Sequence, residues 1–231
     1  MSAGVLAGRR VLVSAGPTFE DIDPVRFLGN RSSGKMGFAI AAAAVAAGAQ
    51  VTLVAGPVAL PTPAGLQRID VRSAAQMHAA VMAALPVDVY IGAAAVADFT
   101  PAQVAGSKIK KQPGNDGLVL QLVRNRDILA EVACHADRPA LVVGFAAETD
   151  NVEANARAKL DRKRLDLICA NRVGLAGSGF ESDENALVVY GAGIERALGP
   201  APKIALAEAL VALVAERVAE RLAAAPPAKG A

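Results

Sequence analysis

The chain has 231 residues, and an open α/β sheet of six or seven strands fits this length, so we expect one domain spanning 1–231. Hydrophobic residues make up 53% and charged residues 20%, which excludes a disordered chain. A net charge of +2 and only 3% aromatic residues argue against a nucleic-acid partner.

Cysteine and histidine are too scarce to build a metal site from Cys and His ligands. The two cysteines, Cys134 and Cys169, lie in apolar contexts typical of buried thiols, and there are only two histidines. The first residues lack a basic segment followed by an apolar one, and no apolar run is long enough to span a membrane. We therefore expect a cytoplasmic protein with no membrane partner.

Short strand patterns alternate with helix-length amphipathic patterns along the chain. Strands are predicted over 10–15, 50–55, 67–71, 87–92, 140–144, 166–170 and 186–190. Helices are predicted over 34–47, 73–85, 126–136, 151–164 and 202–224. This order predicts a three-layer, Rossmann-like α/β fold, in which a mostly parallel sheet carries helices on both faces. Residues 1–8 and 223–231 are expected to be flexible.

One region, 99–123, interrupts this alternation. It contains three lysines, then a turn-forming run at 113–117, then alternating apolar residues. The pattern predicts a long mobile loop followed by an antiparallel strand near 118–123. Long loops in compact domains are usually functional, so we interpret this loop as a lid.

The segment 29–37 has the spacing of a phosphate-binding loop. Gly29 to Lys35 satisfies G-x-x-x-x-G-K, but Met36 stands where a P-loop needs a Mg²⁺-binding Ser or Thr, and about a dozen residues separate the segment from the first strand. A P-loop NTPase is therefore excluded. The first strand is also not followed by G-x-G-x-x-G, which argues against a dinucleotide cofactor.

Small residues before the predicted helix 34–47 can still hold an anion. Ser32, Ser33 and Gly34 let the backbone approach a phosphate at the positive end of the helix. The alternative is that a serine merely caps this helix. Asn30 and Arg31 favour a functional role, because an amide and a guanidinium suit a polarised carbonyl and a phosphate.

Further candidates follow the other predicted strands. Ala93 and its small neighbours precede Asp98, which can bind a hydroxyl or a cation or can simply cap a turn. Lys108 in the predicted lid can close over phosphates, although such lysines are often only solvated. Phe145 at a strand end is more typical of core packing. Lys159 and Lys163 share a helix face, where like charges need an anion to compensate them.

Six motifs in this order resemble the phosphopantothenoylcysteine synthetase family, the CTP-dependent ligases of bacterial coenzyme A biosynthesis. The motifs, within a resemblance over about 9–215, are Ser14–Thr18 with Asp23–Arg26, Asn30–Gly37, Ala94–Asp98, Lys108–Lys111, Gly144–Thr149 and Asp166–Asn171. The resemblance implies that 4′-phosphopantothenate is activated by CTP to an acyl-cytidylate with release of pyrophosphate, and that L-cysteine then displaces CMP.

The resemblance also assigns roles to residues. Asn30 and Lys108 match the catalytic residues, and Ser32, Ser33 and Gly34 would hold phosphate. The positions matching the CTP site are Gly92, Ala93, Ala94, Asp98, Arg126, Asp127, Ile128, Leu129, Phe145, Lys159 and Lys163. Arg126 is the least secure of these, because the family often has Pro there. Mg²⁺ is the implied metal, and Asp98 is its candidate ligand beside the triphosphate.

In the family the site is completed across a homodimer, and the synthetase is often fused to a flavin-dependent phosphopantothenoylcysteine decarboxylase. We expect a homodimer here, fused to or partnered with such a decarboxylase, and no flavin in this chain. Two other hypotheses stay open. The βαβ order alone also suits an NAD(P)-dependent oxidoreductase, and the same pocket could belong to a non-enzymatic module that senses a nucleotide.

Overall fold

The computed structural model describes Gly4 and residues 6–111, 117–172 and 183–224, which form twelve strands and five helices. The strands are β1 Arg10–Ala15, β2 Phe19–Asp21, β3 Phe27–Gly29, β4 Gln50–Ala55, β5 Gln67–Asp70, β6 Val89–Gly92, β7 Phe99–Pro101, β8 Leu122–Arg124, β9 Leu141–Glu148, β10 Leu167–Arg172, β11 Glu184–Gly191 and β12 Ile194–Pro202. The helices are α1 Lys35–Ala46, α2 Ala74–Ala83, α3 Ile128–Ala133, α4 Val152–Arg162 and α5 Lys203–Ala224.

Eight of these strands form one sheet in the order β12-β11-β10-β9-β6-β1-β4-β5. The six strands from β10 to β5 pair in parallel, and β11 and β12 add an antiparallel hairpin at one edge. The predicted α/β class, the mostly parallel sheet and all seven predicted strands of the sheet are confirmed. The sheet is one strand larger than the expected six or seven, because the sequence pattern missed β12.

Helices cover both faces of the sheet, as predicted. Along β1, Val11 and Val13 point towards α1 and α5, whereas Leu12 points towards the layer of α2, α3 and α4. Successive residues of a strand face opposite sides, so one apolar strand serves two cores. The first helix lies very close to the sheet, since a Cβ added at Gly37 would come within 2.4 Å of the Ala15 Cβ.

Part of the predicted lid region forms a hairpin. Phe99–Pro101 forms β7 and pairs antiparallel with β8, Leu122–Arg124. An antiparallel strand was expected here, but its predicted bounds of 118–123 are wrong, because residues 118–121 lie outside it. Part of the predicted loop, 112–116, lies outside the described residues.

The observed helix α3, Ile128–Ala133, is shorter than the predicted helix over 126–136. It begins after Asp127, whose carboxylate accepts a hydrogen bond from the Ala130 N–H at 3.1 Å and so caps α3. At the other end the Arg138 guanidinium donates to the Ala133 carbonyl oxygen at 3.0 Å. Within the described part of the chain, no helix is both long and apolar enough to cross a membrane.

Candidate functional site

The chain order reverses beside β1, and this reversal creates a crevice. From β1 the chain proceeds outwards to β4 and β5, then returns to β6 on the other side of β1 and proceeds to β9 and β10. In open α/β sheets ligands bind beyond the carboxyl ends of the strands at such a switch point. The residues after β1 and β6 run side by side here, because the Ala95 N–H donates to the Gly16 carbonyl oxygen at 2.9 Å.

A cavity of about 550 Å³ opens beyond the carboxyl ends of β6 and β9, and we call it the strand-end cavity. It is lined by ten of the eleven residues predicted to contact CTP: Gly92, Ala94, Asp98, Arg126, Asp127, Ile128, Leu129, Phe145, Lys159 and Lys163. The eleventh, Ala93, lines the adjoining cavity described below. The fold therefore brings residues from four separate segments of the chain, all named from the sequence, to one cavity.

A charged pair forms one wall of the strand-end cavity. The Lys163 ammonium lies 2.7 Å from one Asp127 carboxylate oxygen and 2.9 Å from the other. Burial alone would raise the pKa of Asp127, but the hydrogen bonds from Lys163 and from the Ala130 N–H outweigh it and leave this pKa below its usual 3.8. Asp127 thus stays ionised and fixes Lys163 at the cavity.

This charged pair predicts a pH-dependent contribution to stability. A lowered pKa means that the contribution is present above pH 3.8 and is lost as the pH falls through the pKa of folded Asp127. Asn still caps a helix, so Asp127→Asn should lower the free energy of unfolding by about 0.5–1 kcal/mol at pH 6, a modest value because the pair is partly exposed. Urea unfolding at pH 6 and pH 3 should show this difference shrinking on acidification.

The control for this experiment is Asp150→Asn, which changes an exposed carboxylate elsewhere. In the Asp150→Asn protein the free energy of unfolding should change between pH 6 and pH 3 by the same amount as in the unaltered protein. An Asp127→Asn protein whose deficit stays constant from pH 6 to pH 3 would show that the Asp127–Lys163 pair does not stabilise the fold.

A second cavity, also of about 550 Å³, adjoins the first, and we call it the loop cavity. Asn30, Ser32, Ser33, Gly34 and Ala93 line it. The two cavities share five lining residues: Ala94, Val96, Asp98, Phe145 and Lys159. A ligand in one cavity can therefore meet a ligand in the other across this shared rim.

Lys159 is half-buried at that rim. Its ammonium donates to the Phe145 carbonyl oxygen at 2.8 Å. Burial and, next, the neighbouring Lys163 lower the pKa of Lys159, because both disfavour a charged ammonium there. A bound anion in the cavity would stabilise the charged ammonium and so raise the pKa of Lys159 again. Phe145 packs against the core as its sequence context indicated, and it also lines both cavities.

The first turn of α1 faces the loop cavity. Gly34 is the N-cap of this helix and has φ 74°, a conformation that residues with a side chain rarely adopt. A Cβ here would also lie 3.0 Å from the Val58 side chain. The alternative that Ser32 or Ser33 caps the helix is not what forms, since α1 has no side-chain cap. The first turn of α1 therefore lines the cavity with backbone N–H groups that have no acceptor within the helix.

Asn30 is fixed at the edge of the loop cavity by one hydrogen bond. Its side-chain amide donates to the Val96 carbonyl oxygen at 2.9 Å. An amide nitrogen carries two hydrogens, so this bond orients the group and leaves a second N–H for another acceptor. Because Val96 belongs to both cavities, Asn30 is oriented at the place where they join.

Asp98 is an exposed carboxylate on the shared rim. Among the described residues, no three His, Cys, Asp or Glu side chains are grouped to hold a metal. Mg²⁺ usually needs only one or two protein carboxylates when substrate phosphates supply other ligands. The position of Asp98 on the rim fits such a role, in which its carboxylate would be a protein ligand of the ion.

Lys108 is the one catalytic candidate outside both cavities. Its side chain is exposed, and it belongs to the segment that follows β7.

Several lining residues were not assigned to the site from the sequence, although Lys35 and Asn171 belong to motifs named there. Lys35 and Lys203 line the loop cavity with Asn171 and Asn185. Lys35 is paired with Asp183 at 2.6 Å, and burial lowers the pKa of Lys203. Asn171 could have been found, because it follows a predicted strand. Asn185 and Lys203 arrive through the β11–β12 hairpin, half of which the pattern did not predict.

Comparison with known proteins agrees with these observations. Residues 6–218 match the family described as DNA/pantothenate metabolism flavoprotein C-terminal domain. The chain is 52% identical over 215 residues to the Coenzyme A biosynthesis bifunctional protein CoaBC of Vibrio cholerae, covering 93% of this chain and 54% of that protein. It is 56% identical over 182 residues to CoaBC of Escherichia coli, covering 78% of this chain and 45% of that protein.

A solved structure extends the likeness to three dimensions. The C-terminal domain of a CoaBC protein superposes with a TM-score of 0.79 at 38% identity, covering 94% of this chain and 99% of that domain. The chain spans about half the length of the curated relatives it matches. The resemblance drawn from six motifs is thereby confirmed, and the chain belongs to the DNA/pantothenate metabolism flavoprotein C-terminal domain family.

Proposed function

We propose that this protein is a phosphopantothenate–cysteine ligase that uses CTP and acts in coenzyme A biosynthesis. The observation that carries this proposal is the pair of cavities with a shared rim at the carboxyl ends of the strands. A ligase that joins an acid to a nucleotide must bring a carboxylate to the α-phosphate. Two adjoining sites with a lysine and an oriented amide at their junction suit that requirement.

The first step forms the activated acid. A carboxylate oxygen of 4′-phosphopantothenate attacks the α-phosphorus of CTP, and the bond to the bridging oxygen of pyrophosphate breaks. Negative charge builds up on the phosphoryl oxygens, where Lys159, Lys163 and the N–H groups at the start of α1 can offset it. Lys108 would add a further positive charge once its segment approaches the nucleotide.

The second step forms the amide. The amine of L-cysteine attacks the acyl carbon of the acyl-cytidylate, the amine loses a proton, and CMP leaves with the former carboxylate oxygen. The oxygen of the acyl group becomes negative on the way. The free N–H of the Asn30 amide, whose other hydrogen is bonded to the Val96 carbonyl, is suited to stabilise it.

Mg²⁺ would be held by Asp98 and the phosphates, and it would neutralise charge on the triphosphate. The protein would need no flavin of its own. Because the curated relatives are bifunctional, we also propose that the product passes to a flavin-dependent decarboxylase fused to, or associated with, this chain.

The function is tested by measuring pyrophosphate release with 4′-phosphopantothenate, CTP, Mg²⁺ and L-cysteine. We expect release that requires the acid and CTP, and a cysteine adduct that appears only when all components are present. Exchanging CTP for ATP measures the preference for the base. Binding of CTP without pyrophosphate release would support a nucleotide-sensing module instead. Binding of NAD(P) would support the oxidoreductase hypothesis.

We further propose that two copies associate through an apolar surface, the hairpin surface. It consists of Val25 in the β2–β3 turn and Phe27 at the start of β3, together with Phe99, Leu122 and Val123 on the β7–β8 hairpin. These side chains are 42–59% exposed, and the two hairpins lie against each other. Apolar surface concentrated in this way marks an interface rather than ordinary surface variation.

Leu122→Glu is expected to convert the dimer to a monomer, because it places a charge in the hairpin surface. Analytical ultracentrifugation at micromolar concentration should show half the mass of the unaltered protein. The control is Ile204→Glu, which alters another exposed apolar residue, on α5. It should leave the mass unchanged. A Leu122→Glu protein that remains dimeric would place the interface elsewhere.

A further inference from the structure

The turn between β2 and β3 contains a carboxylate with an unusual set of partners. Asp23 has a fully buried side chain, and one of its oxygens accepts hydrogen bonds from the Val25 N–H at 2.8 Å and the Arg26 N–H at 2.9 Å. The other oxygen accepts the Ile109 N–H at 3.1 Å, across 86 positions of sequence. Asp23 thus joins the turn to the segment that carries Lys108.

Ile109, in the segment that carries Lys108, is also hydrogen-bonded to Arg26 of the β2–β3 turn. The Arg26 guanidinium donates to the Ile109 carbonyl oxygen at 2.7 Å and lies 3.7 Å from the Asp23 carboxylate. A third link is the hydrogen bond from the Ala105 N–H to the Ile22 carbonyl oxygen at 2.9 Å. Both backbone polar groups of Ile109 are therefore fixed by the β2–β3 turn.

The turn alone does not explain why the second carboxylate oxygen of Asp23 is also buried and hydrogen-bonded. A single acceptor oxygen is enough to close such a turn, and Asn serves there as well as Asp. Burying a charge is costly unless every part of it is bonded. Burial alone would raise the pKa of Asp23, but three backbone N–H groups and Arg26 outweigh it and lower this pKa. The second oxygen is used for Ile109 and Arg26.

We propose that Asp23 is a positioning residue, which fixes Ile109 and thereby sets where the adjacent Lys108 is presented to the triphosphate. The inference rests on the proposed function, in which Lys108 acts on the first step. Hydrogen bonds at 105 and 109 hold the backbone around Lys108 in place relative to the β2–β3 hairpin. Lys108 can therefore reach the nucleotide when the hairpins move together with this segment, or when its own side chain changes conformation. Loss of the Ile109 bond should therefore misplace the lysine.

The test uses Asp23→Asn in the full chain. The amide oxygen can keep the bonds to Val25 and Arg26, but an amide nitrogen cannot accept the Ile109 N–H. Pyrophosphate release should slow by about 10–100-fold, with KM for CTP changed by less than about twofold. In a Lys108→Gln background the same substitution should cost no more than about twofold, because the two residues act as one unit. The matched control is Asp21→Asn, on the same hairpin but paired with Arg72, which should keep full activity.

Full activity of Asp23→Asn, or losses that multiply with those of Lys108→Gln, would overturn the proposal. Hydrogen exchange provides a measurement that does not depend on turnover. The Ile109 amide should exchange slowly in the unaltered protein and faster in Asp23→Asn, but not in Asp21→Asn. An Ile109 amide that exchanges freely in the unaltered protein also overturns the proposal, even if Asp23→Asn does not fold. If the unaltered protein releases no pyrophosphate, the proposed function fails, and the exchange result still decides whether Asp23 fixes Ile109.

Discussion

Asn30→Asp is expected to separate the two steps of the reaction. Pyrophosphate release and formation of the acyl-cytidylate should continue, whereas amide formation should slow by about 10²–10³-fold. A carboxylate at this position has no N–H to donate, so it loses the bond to the Val96 carbonyl oxygen and repels both that oxygen and the oxyanion of the second step. Mass spectrometry of quenched reactions should detect the accumulated acyl-cytidylate.

The first step serves as the internal control for this substitution. In the proposed reaction the nucleotide binds mainly in the strand-end cavity, so a folded Asn30→Asp protein should still consume CTP in one turnover. Equal slowing of both steps would mean that Asn30 positions the acid in general. Unchanged amide formation would remove Asn30 from the second step altogether.

Lys108→Gln is expected to slow the first step by about 10²-fold or more, since glutamine keeps much of the length of the side chain but supplies no charge to the developing triphosphate transition state. The effect should appear in single-turnover pyrophosphate release at saturating CTP. Product formation from a supplied acyl-cytidylate should be affected much less. The exposed position of Lys108 means that the protein's stability should barely change.

Lys110→Gln is the matched control, because Lys110 is also exposed and lies two residues away on the same segment. It should keep its activity within about twofold if only Lys108 is presented to the nucleotide. Equal losses for the two substitutions would indicate a general electrostatic attraction of CTP by the segment. That attraction would weaken as salt is raised, and a specific contact at Lys108 would depend on salt far less.

The sequence was most informative where one physical signal dominated. Buried parallel strands such as β1 and β4 are mostly apolar runs between turn residues, so their bounds were predicted correctly. The edge strand β12 was missed because its side chains are mostly exposed, and its pairing partner β11 is needed to recognise it. The hairpins β2–β3 and β7–β8 have strands of only three residues, too short for any periodicity.

For the site, the rule that ligands meet the carboxyl ends of strands made Asp98 a candidate, with a turn-capping role left open. On sequence alone Phe145 was more typical of core packing, and only the family resemblance assigned it to the site. The family resemblance added the residues of α3 and α4. The links between distant segments were not accessible in this way. Nothing in the spacing indicates that the Asp23 carboxylate reaches Ile109 or that Asn30 is oriented by Val96, because both bonds depend on how the hairpins fold onto the sheet.

Attack of the carboxylate on the α-phosphate of CTP is the central step of the proposed reaction, and an oxygen label tests it most directly. 4′-Phosphopantothenate with ¹⁸O in its carboxylate is incubated with CTP, Mg²⁺ and L-cysteine, and the products are analysed by mass spectrometry. We expect one ¹⁸O atom in CMP, one in the new amide and none in pyrophosphate. Unlabelled CMP, or label in pyrophosphate or inorganic phosphate, would contradict this mechanism.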